Sequence, residues 1–325
     1  MSELRFCITG GSGFLGTNLC ALLSRRDLEW LNIDVVEPKC PAYKGNWIKQ
    51  DVRELKGLKQ AIDDFCPTHI VHLAARTDLL GMYINDYDTN IIGVNNVIEV
   101  AQCLPKLRRV IYASSMLATQ PHSLPEILPP TTKYGLSKLI GEELVQRSGE
   151  RYSWVIIRPT SVWGPWFSEP YLQFFKLIRA RLYFHIGRKK VCKPYGYVEN
   201  TVEQILRIAL NHRNDLDFKT LYLHDEVPNS VHEWANAIRS ELGLTHFVVV
   251  PYFVAKALAY LGDFLSMFGL RFPMTSFRLH NMTHSIELPA NQSILSFPSL
   301  ASPAKSMQEG ITKTCKWIDQ YDKDC

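Results

Sequence analysis

Short apolar runs alternate with longer, periodic segments over the first half of the chain. The runs have the length of strands, whereas in the segments between them hydrophobic residues recur every three or four positions, as on one face of a helix. This alternation predicts an α/β fold with a parallel sheet that is covered by helices on both faces. The strand-like runs are LRFCI, LNIDVV, HIVHLA, RRVIYA and SWVIIR.

The alternation ends near residue 165, where Pro, aromatic and basic residues become denser. We therefore predict a first domain at residues 1–165 and a smaller carboxyl-terminal lobe formed mainly by residues 166–325. A further strand, helix and strand are predicted within about 195–226. Because they continue the α/β pattern, this segment is expected to return to the first domain.

A glycine-rich turn, TGGSGFLG, follows the first apolar run and precedes a helical segment. Glycine lets backbone N–H groups approach a pyrophosphate closely, and the amino terminus of the helix adds partial positive charge. In this context of strand, turn and helix, the spacing is typical of a Rossmann-type, doubly wound dinucleotide-binding fold. The cofactor contacts predicted here are Gly10, Gly13, Phe14, Leu15 and Gly16.

Asp34 ends the second apolar run, eighteen residues after Gly16. A carboxylate at this place accepts hydrogen bonds from the adenosine ribose and repels a 2′-phosphate. The sequence therefore predicts NAD, not NADP, as the cofactor, and residues 1–165 as the NAD-binding domain. The carboxyl-terminal lobe would then hold the substrate.

The motif YxxxK occurs at Tyr134–Lys138 and again at Tyr252–Lys256. The first copy opens a helical segment shortly after a buried run that ends in two serines, and we predict that it is the functional one. Residues four apart share one helix face, which places the Lys138 ammonium beside the Tyr134 phenol. Together with the oxidised nicotinamide, this charge is expected to lower the pKa of Tyr134, ordinarily about 10, towards neutrality.

Ser115, the second of the two serines, completes a predicted catalytic group of Ser115, Tyr134 and Lys138. Tyr134 would take the proton from a substrate hydroxyl while Ser115 hydrogen-bonds the same oxygen. Lys138 would also hold the nicotinamide ribose. The sequence thus predicts an oxidoreductase chemistry at a carbon that bears a hydroxyl group.

These motifs occur in the order typical of the NAD-dependent epimerase/dehydratase family, which the chain resembles; its members are extended short-chain dehydrogenases that act on nucleotide-sugars. The resemblance extends to HLAA at 72–75 and RPTSVWGP at 158–165. It implies a homodimer formed through a helical bundle that includes the helices of Asn90 and Tyr134. It also implies further cofactor contacts: Asp51 and Val52 around the adenine, Ala74 and Ala75 along the dinucleotide, Asn90 near its phosphates or nicotinamide, and Pro159.

Departures from the family pattern restrict the chemistry. Met116 follows Ser115, where dehydratases carry an Asp-Glu pair, decarboxylases a Glu, and the epimerase-reductases that make GDP-fucose a Cys. Elimination and decarboxylation are therefore not expected. Ser161 stands where many relatives have an Asn that binds the sugar diphosphate. The candidate substrate contacts are Thr77, Asp78, Ser161, Arg188, Lys190 and Arg278.

Composition and charge indicate which classes of binding partner and which cellular location to expect. The 36 basic and 32 acidic residues leave a net charge of +4 and form no basic stripe, so nucleic acid is not an expected partner. The eight cysteines show no CxxC pairing and the first residues show no secretory pattern, which favours a cytoplasmic protein. The apolar stretch 247–272 contains Lys256 and Asp263; we expect a packing helix and no integral membrane segment, with a membrane-surface helix as the alternative.

The leading hypothesis is a nucleotide-sugar epimerase with tightly held NAD, in which a sugar carbon is oxidised and then re-reduced from the opposite face. An NAD(P)-dependent nucleotide-sugar dehydrogenase or ketoreductase would use the same residues. Less favoured are a hydroxysteroid-type dehydrogenase and a non-catalytic dinucleotide-binding regulator. His280 and His284 lack an accompanying acidic ligand, so no metal site is expected.

Overall fold

The computed structural model describes residues 4–120, 129–226, 229–270, 272, 274–300 and 304–324. The chain divides into two compact units, each formed by three segments. The first unit comprises Met1–Val162, Gly196–Glu226 and Leu288–Ala304, and the second comprises Trp163–Tyr195, Val227–Glu287 and Lys305–Cys325. The third segment of the first unit, where Ser293 forms a bridge to Tyr222, was not predicted from the sequence.

A seven-stranded sheet forms the centre of the first unit. Each neighbouring pair of strands runs parallel, in the order β11-β6-β5-β4-β1-β2-β3. These strands are β1 (Arg5–Thr9), β2 (Glu29–Asp34), β3 (Trp47–Lys49), β4 (His69–His72), β5 (Arg109–Ala113), β6 (Ser153–Pro159) and β11 (Lys219–Leu223). The predicted parallel α/β fold is confirmed. Strand β11 lies in the segment 195–226, where a further strand was predicted, and the short edge strand β3 was not predicted.

The helices of the first unit lie in two groups. Helix α1 packs against α6, while α2, α3 and α4 pack in sequence against one another. The helices are α1 (Phe14–Arg25), α2 (Leu55–Phe65), α3 (Asp88–Ala101), α4 (Lys133–Arg147) and α6 (Val198–Leu210). Alternate residues of the strands, such as Ile70, Val110 and Ile156, are buried in one cluster with Val97 of α3 and Val145 of α4. This packing fixes α4 next to β5 and β6.

In its described residues, the second unit combines five helices with two small sheets. The helices are α5 (Tyr171–Arg179), α7 (Val231–Glu241), α8 (Tyr252–Met267), α9 (Ser276–Thr283) and α10 (Met307–Asp324). Strand β8 (His185–Ile186) pairs in parallel with β13 (Val249–Val250), and β9 (Cys192–Lys193) pairs antiparallel with β12 (Asn229–Ser230). Strands β7 (Ser161–Trp163) and β10 (Tyr195–Tyr197) pair with each other, and most of their residues belong to the first unit.

Aromatic side chains form the core of the second unit around Trp234 of α7. The Phe174 ring stacks on Trp234 with ring centroids 4.7 Å apart, and Tyr195 approaches the same indole to 4.6 Å. Helix α7 begins with a capping box, in which Ser230 and Glu233 satisfy each other's backbone N–H groups. The cap and the aromatic cluster together position α7.

Helix α8 occupies most of the apolar stretch noted in the sequence. Its small residues Ala255 and Ala259 are buried, whereas the larger side chains of Phe253 and Met267 are exposed. Within the described ranges, no helix has the length and apolar character needed to cross a membrane.

We expect the substitution Trp234→Ala to lower the free energy of unfolding by about 3–5 kcal/mol, because it opens a cavity in the aromatic core. The matched control is Phe253→Ala on α8, where the side chain is 72% exposed and the expected change is within about 0.5 kcal/mol. Urea unfolding followed by circular dichroism measures both. Equal effects of the two substitutions would contradict this description of the core.

Candidate active site

Glycines shape the turn between β1 and α1. Gly10 has a φ of +75°, in the left-handed region, and a Cβ atom at this position would lie 2.5 Å from the backbone nitrogen of Ala74. A Cβ at Gly16 would lie 2.3 Å from the carbonyl oxygen of Gly10. The start of α1 has no capping side chain at Gly13 and no acidic residue in its first turn. The partial positive charge of the helix is therefore kept for an anion.

Asp34 is held at the end of β2 by the same turn. Its Oδ2 accepts a hydrogen bond from the Ser12 N–H at 3.0 Å, and its Oδ1 accepts one from the Val36 N–H at 3.0 Å. A carboxylate has about four acceptor sites, so two remain for further donors such as ribose hydroxyls. The carboxylate is thus fixed beside the glycine turn with acceptor capacity left over.

The residues that follow β3 and β4 line the neighbouring part of this sheet edge. Val52 is buried next to Gly93 of α3, whereas the Asp51 carboxylate pairs with Arg53 at 2.6 Å, which lowers the pKa of Asp51. Ala74 and Ala75 are half-buried directly after β4. Pro159 ends β6, opposite Leu223 of β11.

Asn90 is buried in α3 and its amide is used within the protein. The Oδ1 atom accepts a hydrogen bond from the Arg76 N–H at 2.8 Å, while Nδ2 donates to the Arg76 carbonyl at 3.0 Å and to Ser137 Oγ at 2.9 Å. These bonds tie the loop after β4 to α4. Since both amide protons are donated, a cofactor contact of Asn90 would have to use the remaining lone pair of Oδ1.

Ser115, Tyr134 and Lys138 meet at the carboxyl end of β5. Thr132 caps α4 by accepting a hydrogen bond from the Gly135 N–H at 3.0 Å, which places Tyr134 in the first turn. The Ser115 side chain lies near enough to the Tyr134 phenol to lower its pKa, and Ser115 Oγ accepts a hydrogen bond from the Leu117 N–H at 3.1 Å. One turn later, Lys138 Nζ donates to the Ala113 carbonyl at 2.9 Å and lies 6.0 Å from the centroid of the Tyr134 ring.

Burial has the largest effect on the pKa values of Tyr134 and Lys138. It raises the pKa of Tyr134 to about 12, against the opposite effect of Ser115. It also lowers the pKa of Lys138 to about 8, an effect that Glu142 partly offsets. The protein's own groups therefore do not lower the pKa of Tyr134, because desolvation of the phenol dominates. The lowering predicted from the sequence also requires the positive charge of the oxidised nicotinamide, and it stays a prediction.

The candidate substrate residues of the first unit lie in two places. Asp78, in the loop after β4, pairs with Arg76 at 2.8 Å and accepts a hydrogen bond from the Leu80 N–H at 3.0 Å, while Thr77 is exposed. Ser161 is buried in β7. The bonds of Asp78 thus stabilise its own loop. The structure shows no contact between Ser161 and Asp78.

In the second unit, the predicted basic residues do not form a cluster. Lys190 is exposed and pairs with Glu233 at 2.9 Å, Arg188 is exposed, and Arg278 donates from Nη2 to Gln173 at 2.8 Å. Over the described part of the chain, no three His, Cys, Asp or Glu side chains are grouped so as to hold a metal ion.

Sequence reasoning missed Lys193. This lysine of β9 is 9% exposed, and burial lowers the pKa of its ammonium to about 8. Lysine is rarely buried without an oppositely charged partner, which makes it a candidate for binding an anion. The signal in the sequence was its position in VCKPYGY, where a single charge stands among apolar and aromatic residues.

The sequence model of the NAD-dependent epimerase/dehydratase family matches residues 6–221, which is more than half of the chain. The chain belongs to this family. It is therefore an enzyme of the extended short-chain dehydrogenase type, and NAD is its cofactor.

The relatives of this epimerase/dehydratase chain include both epimerases and dehydrogenases. A putative UDP-glucose 4-epimerase of Methanocaldococcus jannaschii is 24% identical over 256 residues, which cover 73% of this chain and 82% of the relative. A 3-beta-hydroxysteroid dehydrogenase of Mycolicibacterium neoaurum is 25% identical over 255 residues, 72% of this chain and 69% of the relative. The two names differ in the class of substrate.

A solved structure supports the fold of this family member. The UDP-glucose 4-epimerase of Thermotoga maritima, in a crystal structure with UDP-glucose, matches with a TM-score of 0.75, covering 98% of this chain and 99% of that chain. The identity is 16%, so this likeness speaks for the fold alone.

The residues of the glycine turn fit the cofactor of the family. A Cβ atom at Gly10 or Gly16 would lie closer to neighbouring backbone atoms than van der Waals contact allows. Glycine at both positions therefore leaves the backbone free to approach a pyrophosphate closely. The amino terminus of α1 suits a phosphate, and the remaining acceptor sites of Asp34 suit the hydroxyl groups of a ribose.

The substitution Gly10→Ala is expected to weaken NAD binding about tenfold or more, since the added Cβ would collide with the Ala74 backbone in a left-handed conformation. Gly45→Ala is the matched control, because a Cβ at Gly45 meets nothing within 4 Å. Isothermal titration of the full-length protein with NAD measures both affinities. Unchanged NAD affinity in folded Gly10→Ala protein would refute the cofactor role of the turn.

Proposed function

We propose that the protein is an NAD-dependent nucleotide-sugar epimerase, which oxidises a sugar carbon and re-reduces it from the opposite face. The observation that carries this proposal is the meeting of Ser115, Tyr134 and Lys138 at the end of β5. The side chains that follow Ser115 are Met116 and Leu117, neither of which can move a proton. Ser115 and Tyr134 supply what an epimerase needs at the reacting hydroxyl, and the epimerase relatives support this reading.

The residues of the first unit would bind NAD along the carboxyl edge of the sheet. The glycine turn would hold the pyrophosphate, Asp34 the adenosine ribose, and Lys138 the nicotinamide ribose. When bound, NAD takes up the hydrogen and electron pair of the substrate carbon and gives them back. The full set of proposed cofactor contacts is Gly10, Gly13, Phe14, Leu15, Gly16, Asp34, Asp51, Val52, Ala74, Ala75, Asn90, Tyr134, Lys138 and Pro159.

Tyr134 would accept the proton of the sugar hydroxyl, and Ser115 would hydrogen-bond the same oxygen. Because burial raises the pKa of the Tyr134 phenol to about 12, the protein's own groups keep it protonated at neutral pH. The charged form of Lys138 and the positive charge of the nicotinamide ring both favour the phenolate. Proton transfer is thus coupled to the presence of the oxidised cofactor.

Lys193 would bind the diphosphate of the substrate in the second unit. A diphosphate would supply the negative charge that this buried ammonium needs. Lys190 is less suited, since its ammonium pairs with Glu233 on the surface. Thr77, Asp78, Ser161, Arg188 and Arg278 stay candidate substrate contacts, and the homodimer and the cytoplasmic location stay predictions.

A second candidate, a dehydrogenase of a hydrophobic alcohol, is favoured by the loop after β4. Leu80, Met82 and Tyr83 of this loop are all more than two-thirds exposed. Tyr87, at its end, lies with its ring centroid 6.1 Å from that of Tyr134. A loop with exposed apolar side chains that leads to Tyr87 beside Tyr134 would suit a substrate with an apolar body, as the name of the hydroxysteroid dehydrogenase relative suggests.

Replacing Tyr134 by Phe is expected to lower kcat by a factor of about 10²–10⁴, because it removes the proton acceptor and leaves the ring. Tyr252→Phe is the control, since it alters the second YxxxK motif, which lies on α8. Turnover of UDP-sugars is followed together with the NAD content of the denatured protein. Cofactor retained in near-stoichiometric amount supports an epimerase, whereas an empty protein with reversible NAD binding favours a dehydrogenase; full activity of Tyr134→Phe would exclude both.

The substitution Lys193→Met is expected to weaken the binding of uridine diphosphate about tenfold or more through loss of a charge-assisted contact. Lys190→Met is the control, because it removes an exposed ammonium from the same unit. Titration calorimetry with uridine diphosphate separates the two variants. Absence of any uridine or guanosine diphosphate binding by the unaltered protein, with turnover of a hydroxysteroid, would favour the second candidate instead.

A further inference from the structure

Three successive turns of α4 contact the three residues at the end of β5 and just after it, Ala113 to Ser115. The three pairs of contacting residues are Tyr134 with Ser115, Lys138 with Ala113, and Glu142 with Ser114. The first two pairs belong to the catalytic group described above. The third pair involves a carboxylate that has no part in the proposed chemistry.

Glu142 is fixed by a buried ion pair. Its Oε1 accepts from Arg158 Nε at 2.8 Å and its Oε2 from Arg158 Nη2 at 2.6 Å, and the two side chains are 3% and 8% exposed. Arg158 also donates to the Tyr222 hydroxyl at 2.9 Å. Replacing a buried pair by apolar residues is often neutral or stabilising. The pair therefore invites an explanation beyond the stability of the fold.

Lys138 and Glu142 line the same small cavity between β5 and α4. The other polar side chains that line it are Tyr112 of β5, Asn90 of α3 and Ser114, which are neutral. From β4, the His72 imidazole interacts with Lys138, and burial lowers its pKa to about 3, so it is neutral as well. Tyr134 on α4 is protonated. Among the described groups, the Glu142 carboxylate is the charge that acts on the Lys138 ammonium.

We propose that Glu142 is a positioning residue, whose charge, held in place by Arg158 and Ser114, keeps the Lys138 ammonium charged where it binds the nicotinamide ribose and supports Tyr134. Glu142 touches neither substrate nor cofactor. The inference deepens the proposed function and rests on the role given there to Lys138.

The physical reason is the balance between burial and a neighbouring charge. Burial lowers the pKa of Lys138 to about 8 and Glu142 works against it. Without the carboxylate, the pKa of Lys138 would fall further, since an opposite charge one helical turn away is worth about one unit or more. The ammonium would then lose its proton within the physiological pH range, and with it the ability to hold the ribose.

The test is the pH dependence of NAD affinity, measured by titration calorimetry between about pH 6 and pH 10 on the full-length protein freed of retained cofactor. For the unaltered protein, affinity is expected to fall as pH rises through the pKa of Lys138. Glu142→Gln is expected to move the midpoint of this fall down by about one pH unit, with affinity retained at low pH. Glu143→Gln is the matched control, because Glu143 is the next residue of α4 and pairs on the surface with Arg147 at 3.3 Å.

Arg158→Gln separates a charge effect from a structural one. It breaks the same buried pair but leaves the carboxylate next to Lys138, so the midpoint is not expected to fall. A purely structural role of the pair would make Glu142→Gln and Arg158→Gln alike, with lower melting temperatures and the same midpoint as the unaltered protein. That result, or an unmoved midpoint in folded Glu142→Gln protein, would overturn the proposal.

Two further variants keep the test decisive. If Glu142→Gln does not fold, the double variant Glu142→Met, Arg158→Met removes both buried charges, which is often tolerated, and the downward shift of the midpoint is again expected. Lys138→Met tests the premise. If it leaves NAD affinity and its pH dependence unchanged, the role of Lys138 in the proposed function fails and the inference with it. If Lys138→Met weakens binding and Glu142→Gln shifts nothing, only the inference fails.

Discussion

The ammonium group of Lys138 is buried in the protein core. The neighbouring groups of the candidate active site compensate for the free energy that its desolvation costs. Removing a charge from water costs several kcal/mol unless other groups replace the lost hydration. The Ala113 carbonyl and the Glu142 carboxylate provide this replacement from the end of β5 and from α4 itself. The position of α4 against the sheet is therefore as important to the chemistry as the identity of the catalytic residues.

The same edge of the sheet gathers the cofactor residues, because all seven strands run parallel and present their carboxyl ends together. The turn after β1 touches the segment after β4 where Gly10 meets Ala74. Asp34 at the end of β2 is bound to the N–H of Ser12 in that turn. One geometric rule of parallel sheets thus places the glycine turn, Asp34 and Ser115, which we propose to act on the phosphates, the ribose and the substrate, at the same edge of the sheet.

Burial has opposite effects on the two key ionisable groups, and this decides how they work together. It raises the pKa of the Tyr134 phenol and lowers that of the Lys138 ammonium, so in both cases the neutral form gains. Ser115 counteracts the first effect and Glu142 the second. In the proposed function, positive charge added by the oxidised cofactor would favour the phenolate and so link proton transfer to cofactor binding.

The sequence by itself determined the parallel α/β fold, the glycine turn, Asp34 and the group of Ser115, Tyr134 and Lys138. These features depend on local periodicity, on backbone conformations that suit glycine, and on a spacing of four residues along one helix, all of which can be read from neighbouring positions. The short strand β3 and the segment Leu288–Ala304 could not be predicted in this way, because a three-residue edge strand and a segment of short turns carry too little periodicity.

Only the tertiary structure decided which polar groups are buried and what they bind. Glu142 and Arg158 lie sixteen residues apart in the sequence and look like ordinary surface charges, yet packing of α4 on β6 buries both. Lys193 likewise became a candidate for binding an anion because it is buried. Lys190 became a less suitable candidate because it pairs with Glu233. Burial likewise raises the pKa of the Tyr134 phenol. Desolvation depends on every element packed around a group, and that information is spread over the whole fold.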